Sequence, residues 1–220
     1  LQRSEKGLSN SKKKYGAYIM SQENNAIIPV SKLEEDSYDW WKRHETILQI
    51  KDEINPEIVM IGDSITHFWG GEPDDPVKHG GTSWSEVFGD TRVLNMGFGW
   101  DRTQNVLWRL EHGEFDRLNP KAVVVNIGTN NFTGTENARA STPDEICEAI
   151  ILICKKIHTL SPESRIIVMA IFPRGEFPDD PLRSPIFELN GLLAEKLPSL
   201  EYVTHLDIGE SFIQSDGTIS

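Results

Sequence analysis

Ile58-Val59-Met60-Ile61-Gly62-Asp63-Ser64-Ile65-Thr66 is the stretch that decides the fold. Four strand-forming apolar residues run into a Gly-Asp pair suited to a tight exit. Ser64 then opens a helical turn, among backbone N–H groups without intrahelical acceptors and at the positive end of a helix dipole. A serine placed there can attack an acyl carbon while neighbouring N–H groups hold the oxyanion. N-capping is the commoner fate of a serine after a strand, and this stretch alone does not separate the two roles.

The pattern recurs downstream. Arg92-Val93-Leu94-Asn95-Met96 is a strand that leaves through Gly97-Phe98-Gly99, and Ala122-Val123-Val124-Val125-Asn126-Ile127 ends in Gly128-Thr129-Asn130-Asn131. A fourth strand, Arg165 to Ile171, is closed by Phe172-Pro173-Arg174-Gly175, and Tyr202 to Leu206 is a fifth. Helical periodicity fills the gaps over 83–88, 101–111, 143–160 and 187–197, and Phe68 to Gly81 reads as a Gly- and Pro-rich loop. Ahead of the first strand, Leu33 to Ile50 carries an amphipathic pattern through Tyr38, Trp41, His44, Ile47 and Leu48, which makes Trp40 and Trp41 core anchors.

Strands alternating with helices of this length require parallel pairing through right-handed crossovers, and nearly continuous apolar strands fit a sheet covered on both faces. The expected architecture is α/β, a three-layer α/β/α sandwich around a five-stranded parallel sheet. Ligands of such sheets lie at the carboxyl ends of the strands, where Ser64, Gly97 and Asn130 would meet. An ester carbonyl at Ser64 could then receive the N–H groups of Ser64 and Gly97 and the Asn130 side-chain amide, each worth on the order of 3 kcal/mol to a developing oxyanion. Read singly, Gly97 and Asn130 are ordinary turn residues.

Composition narrows the function classes. The 220 residues, 38% of them hydrophobic, suffice for one sizeable core, and a net charge of −12 argues against nucleic acid or an anionic membrane surface as the main partner. Cys147 and Cys154 fall about 10 Å apart on one helix face, too far for a disulfide, and read as buried thiols. No Cys/His cluster has metal-ligand spacing, no apolar run reaches a membrane span, and no cofactor is called for. Residues 1–30 read as a flexible N-terminal arm and 31–220 as the domain; no signal-peptide pattern is visible, and Leu1 suggests a trimmed or processed chain. Compartment stays open, as does a homodimer.

Gly62-Asp63-Ser64-Ile65, Asn95-Met96-Gly97 and Gly128-Thr129-Asn130-Asn131, each at a strand end and in this order, resemble the first three sequence blocks of the GDSL, or SGNH, hydrolases. Within that family the likeness is greatest to platelet-activating-factor acetylhydrolase catalytic subunits and their bacterial relatives. It runs from about Trp40 through Phe172-Pro173-Arg174-Gly175-Glu176 and Asn190 to Ser215-Asp216-Gly217-Thr218-Ile219-Ser220. The resemblance implies a flavodoxin-like fold and a serine esterase without metal or cofactor. Ser64 would be its nucleophile, and Gly97 and Asn130 would complete the oxyanion hole.

The resemblance also implies a base histidine and its aspartate in an Asp-x-x-His block near the C-terminus. None of the six histidines, His44, His67, His79, His112, His158 and His205, stands in such a block, and the sequence stops at Ser220 where it would follow. The 220 residues are therefore expected to lack the triad's Asp and His, and His67 is a poor substitute because a helix would carry its ring along its own axis. The expected substrate is a short-chain acyl ester, most simply acetyl, of a small or carbohydrate-linked alcohol, with Trp69, Trp84 and Trp100 near the strand ends as pocket or core residues. The alternative is a non-catalytic protein that binds acylated ligands. An ordinary α/β-hydrolase is the weaker enzyme alternative, since Thr66 replaces the second glycine of a Gly-x-Ser-x-Gly elbow. A dinucleotide-binding domain is weaker still, since Gly97-x-Gly99 is followed by Arg102 where the third glycine would stand.

Overall fold

The computed structural model describes residues 23–70, 73 and 77–219. Its strands are β1 (Ile58–Gly62), β2 (Val93–Gly97), β3 (Ala122–Asn126), β4 (Arg165–Met169) and β5 (Val203–Leu206), all parallel and in the spatial order β2-β1-β3-β4-β5. This is the flavodoxin-like order, and its switch point falls between β1 and β3, the strands that lead to Ser64 and Asn130. The helices are α1 (Trp40–Ile54), α2 (Ser64–Gly70), α3 (Ser83–Phe88), α4 (Thr103–Glu111), α5 (Pro143–Leu160) and α6 (Arg183–Lys196).

Side-chain alternation sorts the sheet into two faces. Val59, Ile61, Val123, Val125, Ile166 and Val168 are buried in one core with Val106 and Leu107 of α4, Ile146, Ile150 and Ile153 of α5, and Leu189 and Leu193 of α6. The register sets Met60, Val124 and Ile167 side by side on the other face. That face carries α2 and α3, and beside them the same strand residues floor an apolar groove of about 570 Å³. The expected three layers are present, with the second helical layer thinner than the first.

Local capping explains where the helices start. Thr142 and Glu145 form a capping box with Pro143 in the first turn of α5. Asp39 caps α1 by accepting the N–H groups of Trp41 and Lys42 at 3.0 and 3.1 Å. That cap turns Trp40, Arg43, His44, Ile47 and Lys51 inward. Trp41, expected in the core, is 43% exposed. α1 itself runs from Trp40 to Ile54, where the sequence pattern spans Leu33 to Ile50, and two other boundaries differ as well. The chain stays helical through Gly70, where a loop was expected from Phe68, because Phe68 packs on Tyr38 and Trp69 on Trp84. α6 starts at Arg183, ahead of Phe187, after Asp180 accepts the Leu182 N–H at 2.9 Å.

Arg43 reaches the open side of β2, the edge strand. Its Nε donates to Gly97 O at 2.8 Å and its Nη2 to Asn95 O at 3.0 Å. At the other end of the sheet, Asn190 accepts the Ile171 N–H and donates to Ile171 O, at 2.8 and 2.9 Å. Residues 23–30, assigned to the arm from sequence, pack on the helical layer: Ala26 is buried, Val30 N–H donates to Gln104 O, and Asn24 donates to Glu145 O. The rest of that arm, 1–22, lies outside the described residues. Cys147 and Cys154 are buried free thiols. Among the described residues no helix is long and apolar enough to cross a membrane.

Candidate active site

β1 ends at Gly62 because no side chain fits there: a Cβ would come within 2.1 Å of Thr66 Oγ1 and 2.7 Å of Asn126 O. Asp63 then shapes the first turn of α2. Its carbonyl accepts the His67 N–H at 2.9 Å, and its Oδ1 accepts the Ile65 N–H at 2.9 Å. The carboxyl is buried, and Oδ2 has no protein hydrogen-bond partner. Burial, reinforced by Asp101, pushes its pKa up to about 7 against the pull of the Ile65 N–H and Arg174. Ser64 is half-buried, and its N–H donates to no acceptor among the described residues. It opens onto a pocket of about 360 Å³ walled by Ile65, Phe68, Trp69, His79 and Gly80.

The Gly97 N–H, expected to help hold the oxyanion, is committed elsewhere. Successive N–H groups of a strand point to opposite sides. Phe98 N–H donates to Gly62 O of β1 at 2.9 Å, so the Gly97 N–H faces away from β1 and donates to Asn95 Oδ1 at 2.9 Å. Glycine is required at 97 for a different reason. A Cβ there would lie 2.3 Å from His67 N and 2.8 Å from His67 Cα, inside the backbone of α2.

Two residues on, the chain makes a turn tied down at both ends. Gly99 N–H donates to His67 Nδ1 at 3.2 Å, and Asp101 O accepts the Asn130 side-chain amide at 3.0 Å. Trp100 between them takes the left-handed conformation, with φ of 62°, and its N–H has no acceptor among the described residues. The Asp101 carboxylate beneath the turn accepts from Trp40 Nε1 at 2.8 Å and Arg109 Nε at 2.9 Å. Arg109 also donates to Glu114 at 2.7 Å, whose other oxygen lies 2.6 Å from His44 Nδ1. This buried network of Trp40, Asp101, Arg109, Glu114 and His44 had no counterpart in the sequence reading. Burial pushes the Asp101 carboxyl up to about 6 despite Arg109 and Trp40.

Asn130 is buried in the turn after β3, with one amide hydrogen on Asp101 O and the other uncommitted. Arg174, from the loop after β4, donates to Thr129 O at 3.1 Å. The residues after β5 close the same edge: Ile219 N–H donates to Glu176 O at 3.0 Å, and Arg183 donates to Gly175 O and Gly217 O.

No histidine hydrogen-bonds the Ser64 hydroxyl among the described residues. His67 is buried, stacked on Phe68 and edge-on to Tyr38, and burial with the nearby Arg43 and Arg109 pushes its pKa down to about 3. It stays neutral and accepts from Gly99, which suits a packed residue. His112 and His158 stack on Trp108 and Tyr202, and burial lowers the His205 pKa within β5. His79 alone among them shares the Ser64 pocket; it comes from an aperiodic loop and left no signal in the sequence pattern.

A flavodoxin-like sheet with Gly-Asp-Ser at its switch point and an amide side chain at the neighbouring strand end is the framework of an α/β acylhydrolase. Residues 60–218 match the model of the GDSL-like lipase/acylhydrolase family, and the chain belongs to that family. It is 37% identical to the rat platelet-activating factor acetylhydrolase IB subunit alpha2 over 199 residues, which span 90% of this chain and 79% of that protein. Its fold is similar to a GDSL-like lipase from Bacteroides thetaiotaomicron (TM-score 0.57, 17% identity, 80% of this chain and 85% of that one). It is also similar to an acetylxylan esterase from Geobacillus stearothermophilus (TM-score 0.55, 17% identity, 74% and 86%).

Proposed function

We propose that the chain is a serine esterase for short acyl esters, most simply acetyl, of a small or carbohydrate-linked alcohol. The observation that carries this reading is the pair of uncommitted backbone donors, Ser64 N–H and Trp100 N–H, in the turns after β1 and β2, together with the uncommitted amide hydrogen of Asn130 in the turn after the adjoining β3. The Ser64 hydroxyl attacks the acyl carbon, the carbonyl electrons move to the oxygen, and these three donors hold the charge. The alcohol leaves with the proton that Ser64 gives up, and water then attacks the acyl group, releasing the acid and returning a proton to Ser64. Trp100 N–H takes the place first assigned to the Gly97 N–H, while Gly97 serves by letting α2 lie against β2. The pocket beside Ser64, walled by aromatic rings, accommodates a small acyl group. The platelet-activating factor acetylhydrolase and acetylxylan esterase names of the relatives point the same way.

Deprotonation of Ser64 needs a base. The family resemblance assigns it to a histidine in an Asp-x-x-His block, which the 220 residues do not contain. The test is therefore made on Ser64 itself. The chain should hydrolyse p-nitrophenyl acetate above the buffer rate and take up one fluorophosphonate adduct by intact mass, and Ser64→Ala should abolish both with an unchanged circular dichroism spectrum. Hydrolysis that survives in Ser64→Ala refutes the nucleophile. Saturable ester binding without Ser64-dependent turnover, in a form extended through an Asp-x-x-His block, would instead identify a binding protein.

A further inference from the structure

Helix α2 presents three rows of side chains at 100° per residue. Ser64 and Phe68 form one row, Ile65 and Trp69 the next, and Thr66 lies beyond. The first row faces the 360 Å³ pocket, and Thr66 faces the 570 Å³ groove over the sheet. Ile65 and Trp69 line both. They form a partition one side chain thick between the space beside Ser64 and an apolar channel floored by Met60, Val124 and Ile167.

Trp69 is held rigidly in that partition. Its Nε1 donates to Ser83 Oγ at 2.7 Å, and Ser83 Oγ donates to Gly80 O at 2.7 Å. Its ring stands edge-on to Trp84 at 5.2 Å and tilted to Phe88 at 5.5 Å. Gly80 closes the remaining side: a Cβ there would fall 2.2 Å from Trp69 Cδ1. A ring anchored through its N–H and packed on two sides does not swing away to admit a ligand, unlike a lone exposed tryptophan.

We propose that Trp69 sets the acyl length of the substrate. The indole stands with Ile65 between the pocket beside Ser64 and the groove, so short acyl chains stay on the Ser64 side while longer chains directed along the sheet meet the ring. Removing the ring joins the pocket to the groove and lets a medium-length acyl chain lie over β1, β3 and β4. Each methylene buried there is worth about fourfold in binding. The proposal rests on Ser64 as nucleophile.

The experiment compares kcat/KM for p-nitrophenyl acetate, hexanoate and octanoate in the full chain, Trp69→Ala, Trp69→Phe, Val124→Phe and the Trp69→Ala/Val124→Phe pair, with folding checked by circular dichroism. The parent should favour acetate over octanoate at least tenfold, and Trp69→Phe and Val124→Phe should keep that preference. Trp69→Ala should raise octanoate relative to acetate by at least tenfold, and Val124→Phe in that background should restore the short-chain preference by filling the groove. If Trp69→Ala does not fold, Trp69→Leu takes its place. An unchanged acyl profile in the folded variant, or a gain that Val124→Phe does not reverse, overturns the proposal. If none of the proteins turns over an ester, the absent Asp-x-x-His block accounts for it and acyl length is read without turnover. The partition is then judged by calorimetric binding of N-acetyl- and N-octanoyl-4-nitroaniline: Trp69→Ala must gain octanoyl affinity at least tenfold, and no gain overturns it.

Discussion

Asp63→Asn should flatten the pH dependence of stability. Asp63 is 1% exposed, its Oδ1 accepts the Ile65 N–H, and its Oδ2 has no protein partner, so the protein favours the protonated acid. An acid whose pKa is raised on folding binds its proton more tightly when folded, and stability therefore falls as pH climbs from the unfolded value to the folded one. With about 3.9 unfolded and about 7 folded, the loss starts near pH 4 and levels off above pH 7. Integrating between pH 5 and pH 8 gives about 2–3 kcal/mol from this one group. Asparagine keeps the oxygen that accepts from Ile65 and cannot ionise. Urea unfolding of parent and variant at half-unit steps from pH 5 to pH 8 reads the effect, because the lowered His67 is common to both proteins and burial outweighs Asp101 as the cause of the Asp63 shift. Asp63→Asn should gain about 2–3 kcal/mol on the parent across that range. Parallel pH profiles would refute the reasoning.

Asn130→Ala should lower kcat on p-nitrophenyl acetate by about 10²–10³ with a smaller change in KM, since the amide acts mainly on the transition state; an unchanged kcat would leave Asn130 a turn residue. Gly97→Ala should destabilise the fold by about 1–3 kcal/mol or more in urea unfolding, because the added methyl meets the α2 backbone rather than a movable side chain; wild-type stability would show that α2 gives way freely. Trp100→Gly keeps the backbone N–H and removes a left-handed strain at φ of 62°, so kcat should hold while stability rises by up to about 1 kcal/mol. A tenfold drop in kcat would mean that the indole rather than the backbone serves the reaction.

The strands and their exits were legible because β-branched runs ending in Gly-Asp, Gly-Phe-Gly and Gly-Thr-Asn leave few other structures open. Parallel pairing followed from the intervening helices, and with it the meeting of Ser64 and Asn130 at one edge. What Gly97 does was not legible. The direction of its N–H depends on which β2 residues pair with β1, and its need for glycine depends on the crossing of α2, neither of which has a local pattern. On α1 the expected burial of Trp40, His44 and Ile47 holds, but Trp41 turns outward because the Asp39 cap sets where the helix starts. Asp101, Arg109 and Glu114 carried no sequence signal of burial; they are buried because each satisfies another, a property of the set and not of any one residue. Trp69, one of the tryptophans expected near the strand ends, does line the Ser64 pocket, while His79 reaches it from a loop without periodicity and left no such signal.

The hold of Arg43 on β2 bears on how copies of this chain can meet. An edge strand with free carbonyls is a template for any extended segment, and natural sheets protect such edges with buried or inward-pointing charge. Here the guanidinium occupies Asn95 O and Gly97 O, and Asn95 Oδ1 occupies the Gly97 N–H. The border beside the candidate site is thereby closed to strand addition. A second copy that joined the sheet edge to edge would have to do so through β5, at the far side from Trp40 and Arg43, which keeps that mode of pairing away from the turn that carries Trp100.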